Sequence, residues 1–455
     1  MNLVHALRIV PGDVLALTGG GGKTTAMFRL AAEMASSSLP NRRVLTTTTT
    51  RIFAAQIKRA PAHVTFVSQQ QTVAELLPQL DAAIAQYGQV LLIGQIEVQQ
   101  GKAFGIPPET IDALAASRHF DLIVNEADGS RMRPFKAPAV HEPVIPACTT
   151  LVMPVVGLDI LGRPLNDDTV HRAGLVSQLS GTALGQPVTI ETIAAVLSHP
   201  QGGLSHTPPQ ARVVPLVNKV DQPNQLALAR ELAAALLQCP RFEAVAIGAV
   251  QAATEPIIEV ASRTGAIILA AGGSTRFGSP KQLARWQGQT LLERAVDVAL
   301  ASQARPVIVV LGAEVDHSLA LLRDKPVEVV LNEAWTTGQS SSMRAGLAAL
   351  PANVSSAVFQ LVDQPALTSA TIDALIRRYR QTLAPLVWPE FEGHRGNPVL
   401  FDRTLFAELK QICGDVGGRP VLKAHQTQAE KVVTTDRGIL LDIDQIEDLK
   451  RYAGH

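Results

Sequence analysis

Apolar residues along this chain fall in short runs that end abruptly at polar, glycine-bearing stretches. In the first half the runs cover 13–17, 43–45, 121–124, 149–156 and 213–217. In the second half they cover 266–271, 306–311, 327–331 and 357–362. Runs of this length, rich in Val, Ile and Leu, read as strands buried on both faces. Between them lie segments with helical spacing, such as 26–35 and the segment opened by Thr290 and Glu293, which has capping-box spacing. Strands alternating with helices predict an α/β protein with mostly parallel, Rossmann-like sheets. The turn-rich stretches 251–256 and 262–265 place a domain boundary near Ala261, giving domains 1–260 and 261–455. No internal repeat relates the halves, because their glycine loops differ in length and ending.

The first glycine loop follows the first run. Thr18 leads into Gly19, Gly20, Gly21, Gly22, Lys23, Thr24 and Thr25, and a helix is expected from 26. Strand, glycine loop, Lys-Thr and helix predict a P-loop-type phosphate site: backbone N–H groups cradle phosphates, Lys23 reaches the outer ones, and the Thr24 hydroxyl ligates Mg²⁺. The usual outer glycine is replaced by Leu17. The run 121–124 ends in Asn125, Glu126, Ala127 and Asp128, so Glu126 or Asp128 is the expected second metal ligand. The threonines 46–50 and Arg51 follow another strand, at the end where ligands bind in parallel sheets, or are simply β-formers. Residues 131–143 carry Arg131, Arg133, Lys136 and His141 among prolines, which predicts an ordered functional loop rather than a helix. Asn218, Lys219, Val220 and Asp221 follow a late strand, in the pattern that reads guanine in GTPases.

The second glycine loop is longer. Leu269, Ala270 and Ala271 enter Gly272 and Gly273, and the polar residues that follow include Arg276 and Lys281. Small residues let a triphosphate approach the backbone, and the two cations can neutralise a departing pyrophosphate. Ser340, Ser341 and Ser342 open a helix, either to read a nucleobase edge or as capping residues. Asp363 ends a strand and is terminated by Pro365, a placement suited to holding Mg²⁺ between phosphates. Asp442 and Asp444 are expected on one side of a late strand, and either one would be the second metal ligand.

Composition narrows the partners. Forty basic residues balance forty acidic ones, which argues against a nucleic-acid or membrane-surface binder. Cys148, Cys239 and Cys413 form no CxxC pair, so neither a zinc knuckle nor a disulfide framework is indicated. No membrane-length run or signal peptide is visible, and the expectation is a cytoplasmic protein.

Two resemblances cover these motifs. The strings GGGGKTT, TTTTTR, NEADGSRMRPFKAPAVHEPVIP, VVGLDILGRPL and LVNKVD resemble the YqeC family over about 3–258. That likeness implies a role in maturing selenium-dependent molybdenum hydroxylases; GTP or ATP at the N-terminal loop is the expectation from the glycine loop and the 218–221 motif themselves. It implies as partner a molybdenum hydroxylase or its maturation chaperone. The strings LAAGGSTRFGSPKQL, NEAWTTGQSSSMRAGL, LVDQPAL, GHRGNPVLF, GDVGGR and the late DID resemble the MocA-like molybdenum cofactor cytidylyltransferases over about 265–452. That likeness implies a Rossmann-like nucleotidyltransferase domain of the GT-A-like kind, which uses Mg²⁺ to transfer CMP from CTP to a molybdopterin-type cofactor. By it, 269–273, Arg276 and Lys281 hold the triphosphate, Ser342 reads cytosine, and Asp363 and Asp442 bind the metal. His394, Asn397, Asp415, Gly417 and Arg419 lie towards the pterin. The family's Thr-Pro after the late acids is absent here, which leaves Asp442 against Asp444 open. Two other readings stay open: transfer to another phosphate, such as a sugar phosphate, or from GTP, and a non-catalytic cofactor carrier.

Overall fold

The computed structural model describes residues 1–36, 42–67, 71–97, 99, 101–273, 277 and 280–451. The chain divides into two compact units, Met1–Ala261 and Ser262–His455.

In the first unit the apolar runs become strands: β1 (Asp13–Gly19), β2 (Val44–Thr48), β3 (His63–Thr65), β4 (Gln89–Ile93), β5 (Leu122–Glu126), β6 (Leu151–Gly157), β7 (Leu216–Asn218) and β8 (Ala244–Gly248). They pair in the order β3-β4-β2-β5-β1-β6-β7-β8, every pair parallel. β1 is buried on both faces, with Leu15 and Ala16 wholly inaccessible, as a covered parallel sheet requires. Chain order reverses around β1, so the loop after it opens into the crevice where such sheets bind ligands. The run expected over 213–217 splits into Arg212–Val213 and Leu216–Asn218. Pro215 sits in the gap and has no N–H to give the ladder.

The second unit contains the later part of β9 (Ile257–Ala270), then β10 (Val307–Leu311), β11 (Glu328–Leu331), β12 (Val354–Leu361), β13 (Leu386–Phe391), β14 (Val399–Asp402) and β15 (Glu430–Val433). Their order is β11-β10-β9-β12-β14-β13-β15. All pairs are parallel except those made by β14, which runs against β12 and β13. β9 lies between β10 and β12, so the loop after it also opens at a switch in strand order. The expected turn at 262–265 is absent: these residues lie inside β9. Thr264 shares a 2.8 Å hydrogen bond with Ser356 of β12, and the ladder slips register between Arg263 and Thr264, so polar residues are accommodated without leaving the strand. The helix Leu291–Ala301 carries the expected capping box, with Thr290 Oγ1 accepting from Glu293 N at 3.1 Å and Glu293 Oε2 accepting from Thr290 N at 2.9 Å.

Candidate functional site

The C-terminal candidate site forms where β9 and β12 end. β9 stops at Ala270 and passes into irregular backbone at Gly272 and Gly273; a short helical turn forms at Lys281–Leu283. A Cβ on Gly273 would stand 2.8 Å from the Trp335 ring, so only glycine fits against that indole. These glycines and the ring border a cavity of about 550 Å³, into which Lys281, Asp363, Asp444, Asp415 and Ser342 also reach. Leu269, Ala270 and Ala271 line it as well.

Lys281 is the centre of its charge. Its Nζ donates to Asp363 Oδ2 at 2.9 Å and to Asp444 Oδ1 at 3.1 Å. Lys281 is 13% exposed and Asp444 69%, so one partner is enclosed with the lysine and the other faces water. Burial works against the ammonium charge, but Asp363 and then Asp444 outweigh it, and the Lys281 pKa lies above the ordinary value. Asp442 turns elsewhere, accepting from Gln364 Nε2 at 2.8 Å. Burial, and after it the Asp363 charge, pushes its carboxyl above the usual range. The expected late strand is not there. Residues 441–444 are irregular and follow the helical turn Arg437–Leu440, with Ile443 N donating to Asp363 O at 2.9 Å. That bond fastens the acid segment to the end of β12 and sends Asp442 and Asp444 to different partners instead of one strand face.

The serines of the helix Gln339–Ala349 are buried. Asn332 Nδ2 donates to Ser341 Oγ at 2.8 Å and Ser342 Oγ at 3.0 Å, while Ser340 Oγ has no hydrogen-bond partner among the described residues. The helix is capped from the 414–419 loop: Asp415 Oδ1 accepts from Gln339 N at 3.1 Å, and Gly417 packs on the Gln339 side chain. Of the residues expected towards the pterin, Asp415 reaches the cavity and His394, Asn397, Gly417 and Arg419 do not line it. His394 sits on an exposed hairpin, and the backbone N of Asn397 donates to Ile439 O at 3.1 Å. Arg276 lies outside the described residues. Trp335 and Asn332 escaped the sequence reading. Their signal was the NEAW string, whose tryptophan gives no hint of the distant glycine it covers.

The N-terminal candidate site is the loop between β1 and the helix Lys23–Ala35. Gly19, Gly21 and Gly22 have φ of 85°, 81° and 134°, a region that side chains avoid. Gly20 is closed in differently, by the Arg133 carbonyl 2.6 Å from where its Cβ would be. Lys23 is 3% exposed; its Nζ lies 2.5 Å from Gly19 O and 3.2 Å from Asp128 Oδ1, with Glu126 Oε1 at 3.9 Å. Thr24 Oγ1 donates to Glu126 Oε2 at 2.7 Å, which puts the hydroxyl and carboxylate expected to share a metal side by side. Burial raises the Glu126 pKa against the pull of Lys23. Thr25 lies on the same cavity, of about 370 Å³, together with Gly21, Gly22, Lys23, Thr24 and Glu126.

Asp128 also meets Lys136 Nζ at 3.1 Å, and Lys136 meets Glu142 at 2.7 Å. Arg172 grips Glu142 through both nitrogens, at 2.6 and 3.0 Å. Although burial opposes it, bonding to Arg172 and Lys136 brings the Glu142 carboxyl down to about 2. The proline-broken segment is thus an ordered loop, as its composition predicts. Asn218 Nδ2 donates to Gly21 O at 2.7 Å, tying β7 to the glycine loop. Lys219 reaches the cavity but pairs with Asp159 at 2.9 Å, and Asp221 is exposed and does not line it. The threonine run does not offer free hydroxyls: Thr46, Thr47 and Thr48 bond to the carbonyls of Val90, Leu92 and Glu126.

Among the described residues no group of three or more His, Cys, Asp and Glu side chains is gathered to hold a metal alone, and no helix is long and apolar enough to cross a membrane. Mg²⁺ commonly takes one or two carboxylates and completes its shell with phosphate and water.

Two α/β units, each with a glycine segment beside an enclosed lysine and strand-end carboxylates, define a class: a nucleotidyltransferase domain joined to a second glycine-loop domain. Family models agree, with the YqeC protein model matching residues 15–174 and the MobA-like NTP transferase domain matching 266–429. The chain belongs to the YqeC family, and its C-terminal part is a MobA-like NTP transferase domain. It is 32% identical over 238 residues to the uncharacterized protein YqeC of Escherichia coli (strain K12), covering 52% of this chain and 88% of that one. It is 30% identical over 192 residues to the nicotine blue oxidoreductase of Paenarthrobacter nicotinovorans, covering 41% of this chain and 94% of that one. A probable molybdenum cofactor guanylyltransferase of Bacillus cereus (strain AH820) is 38% identical over 66 residues, 14% of this chain and 32% of that one.

Proposed function

We propose that the C-terminal unit transfers CMP from CTP to the phosphate of a molybdopterin cofactor, with Mg²⁺, and releases pyrophosphate. The observation that carries this reading is Lys281 held between Asp363 and Asp444 beside a glycine turn. The acceptor phosphate oxygen attacks the α-phosphorus of CTP. The bond from that phosphorus to the bridging oxygen breaks, and pyrophosphate leaves with the electron pair. The acceptor is already ionised, so no strong base is needed, and catalysis rests on alignment and charge neutralisation. Lys281 neutralises the leaving pyrophosphate, with Arg276 in the same role by its place in the motif. Asp363 fits a metal ligand: its Oδ1 is buried and accepts no hydrogen bond from the described residues. Asp363, with Asp442 or Asp444, would hold Mg²⁺, which when bound offsets the phosphate charge. Gly272 and Gly273 would seat the triphosphate, and Ser342, which lines the same cavity, would read the base.

The guanylyltransferase name of one relative makes the donor base the first question. A screen of ATP, GTP, CTP and UTP against purified molybdopterin and against sugar phosphates, reading pyrophosphate, tests it. CTP with molybdopterin is expected to lead. Release with sugar phosphates alone, or none in any combination, refutes the reading. Because another relative is named an oxidoreductase, reduced nicotinamide consumption is the control, expected to be nil.

For the N-terminal unit we infer a nucleoside triphosphate site on loop 19–25, with Mg²⁺ on Thr24 and Glu126 or Asp128. It would serve maturation of a selenium-dependent molybdenum hydroxylase, by contact with that enzyme or its chaperone. Absence of affinity for both GTP and ATP removes this inference.

A further inference from the structure

The N-terminal cavity contains two cations that the nucleotide motif does not account for. Arg51 and Arg131 line it together with Lys23 and Thr24. They arrive from different places: Arg51 follows β2, and Arg131 follows β5. Arg51 is held by its side chain, and Arg131 is placed by its backbone. The Arg51 guanidinium stacks on the Phe104 ring, 4.5 Å from its centroid. Arg131 and Met132 have φ of 50° and 61° within a turn closed by Arg133 N donating to Ser130 O at 2.9 Å. Positive φ at both central positions is a geometry dominated by Gly, Asn and Asp, so an Arg-Met pair there is strained. The strain persists because the next residues are anchored on the glycine loop, Gly21 N donating to Arg133 O at 3.1 Å. It leaves Met132 84% exposed and brings Arg131 to the cavity.

Lys23 is already committed to Asp128 and Glu126, and Lys219 to Asp159. Neither arginine has a carboxylate partner among the described residues, so the positive charge facing the cavity is largely theirs. Planar guanidiniums suit paired phosphate oxygens better than an ammonium does.

We propose that Arg51 and Arg131 bind the terminal phosphate of a nucleoside triphosphate seated on loop 19–25, so that the N-terminal unit distinguishes triphosphate from diphosphate. This rests on the reading of that loop as a nucleotide site. Loss of two charge-assisted contacts predicts at least a tenfold, order-of-magnitude fall in triphosphate affinity.

The test is hydrogen exchange of peptides covering 19–35 in the full-length chain, titrated with GTP, GDP, ATP and ADP in MgCl₂. Local protection reports this loop separately from peptides covering 266–283. The wild type is expected to be half-protected at least about tenfold lower in one triphosphate than in its diphosphate. Arg51→Gln with Arg131→Gln should erase that ratio and leave diphosphate protection within about twofold. Arg51→Lys with Arg131→Lys, which keeps charge and stem, should restore part of it. A wild type that protects equally with tri- and diphosphate, or a Gln variant that keeps the ratio or weakens both nucleotides alike, overturns the proposal. A wild type protected by no nucleotide overturns the loop's assignment itself, a result distinct from the other two.

Discussion

Replacing Lys281 by Ala separates chemistry from stability. The side chain is enclosed, and its ammonium makes two carboxylate contacts, at 2.9 and 3.1 Å. Asp444 is mostly in water, so that contact contributes up to ~1 kcal/mol to folding. Asp363 is 22% exposed, and its contact is worth more, but burial of the lysine offsets part of the gain. The net cost to folding is about 1–2 kcal/mol, which shifts the melting temperature of a unit this size by roughly 2–8 °C. Loss of one preorganised cation facing developing charge costs about 10²–10³ in turnover, roughly 3–4 kcal/mol of barrier. Pyrophosphate release at saturating substrate should therefore fall far more than unfolding can explain. Far-UV circular dichroism at the assay temperature should stay native. Turnover within about threefold of wild type, or a loss wholly matched by the unfolded fraction, refutes this account of Lys281.

Other perturbations follow from the same geometry. Asp444→Asn should keep most turnover if Asp442 is the second metal carboxylate, whereas Asp442→Asn should raise the Mg²⁺ concentration needed for half-maximal rate; the reverse pattern assigns Asp444. Glu142, brought down to about 2, adds stability that is fully present above its unfolded value near 4.5 and is lost as pH falls towards 2. Acid unfolding of the first unit should steepen across that window, and Glu142→Gln should flatten it, removing about 3 kcal/mol of pH dependence. Gly21→Ala should damage the N-terminal loop by sterics as well as strain, because its Cβ would stand 2.4 Å from Gly157 N. Nucleotide protection of 19–35 should vanish in that variant while the second unit keeps its melting transition.

Local features were legible where local physics decides them. The strand–glycine–helix order at 13–35 and the Thr290–Glu293 capping box depend on spacing alone, and both stand in the structure. Pro215 shows the reverse: the apolar pattern read 213–217 as one strand, and the missing N–H splits it. Pairings across the sequence were not legible. Nothing near Lys281 announces that Asp444, 163 residues later, will share its ammonium with Asp363. The DID spacing suggested a strand face, but the bond from Ile443 N to Asp363 O overrides it. His394 and Asn397 carried the look of site residues, yet one lies on an exposed hairpin and neither lines the cavity. Asp415 was expected near the pterin; it reaches the cavity while capping the helix Gln339–Ala349, a role no spacing announced. At 262–265, turn-forming residues lost to the sheet, since β12 supplied Thr264 with a buried partner.

The most direct measurement is transfer of label from α-phosphate-labelled CTP to purified molybdopterin, with pyrophosphate counted in the same reaction. The account predicts one labelled cofactor for each pyrophosphate released, dependence on Mg²⁺, and loss of both products in Asp363→Asn. Cofactor bound stoichiometrically with no label transferred and no pyrophosphate released would contradict it, and would make this chain a carrier instead of a transferase.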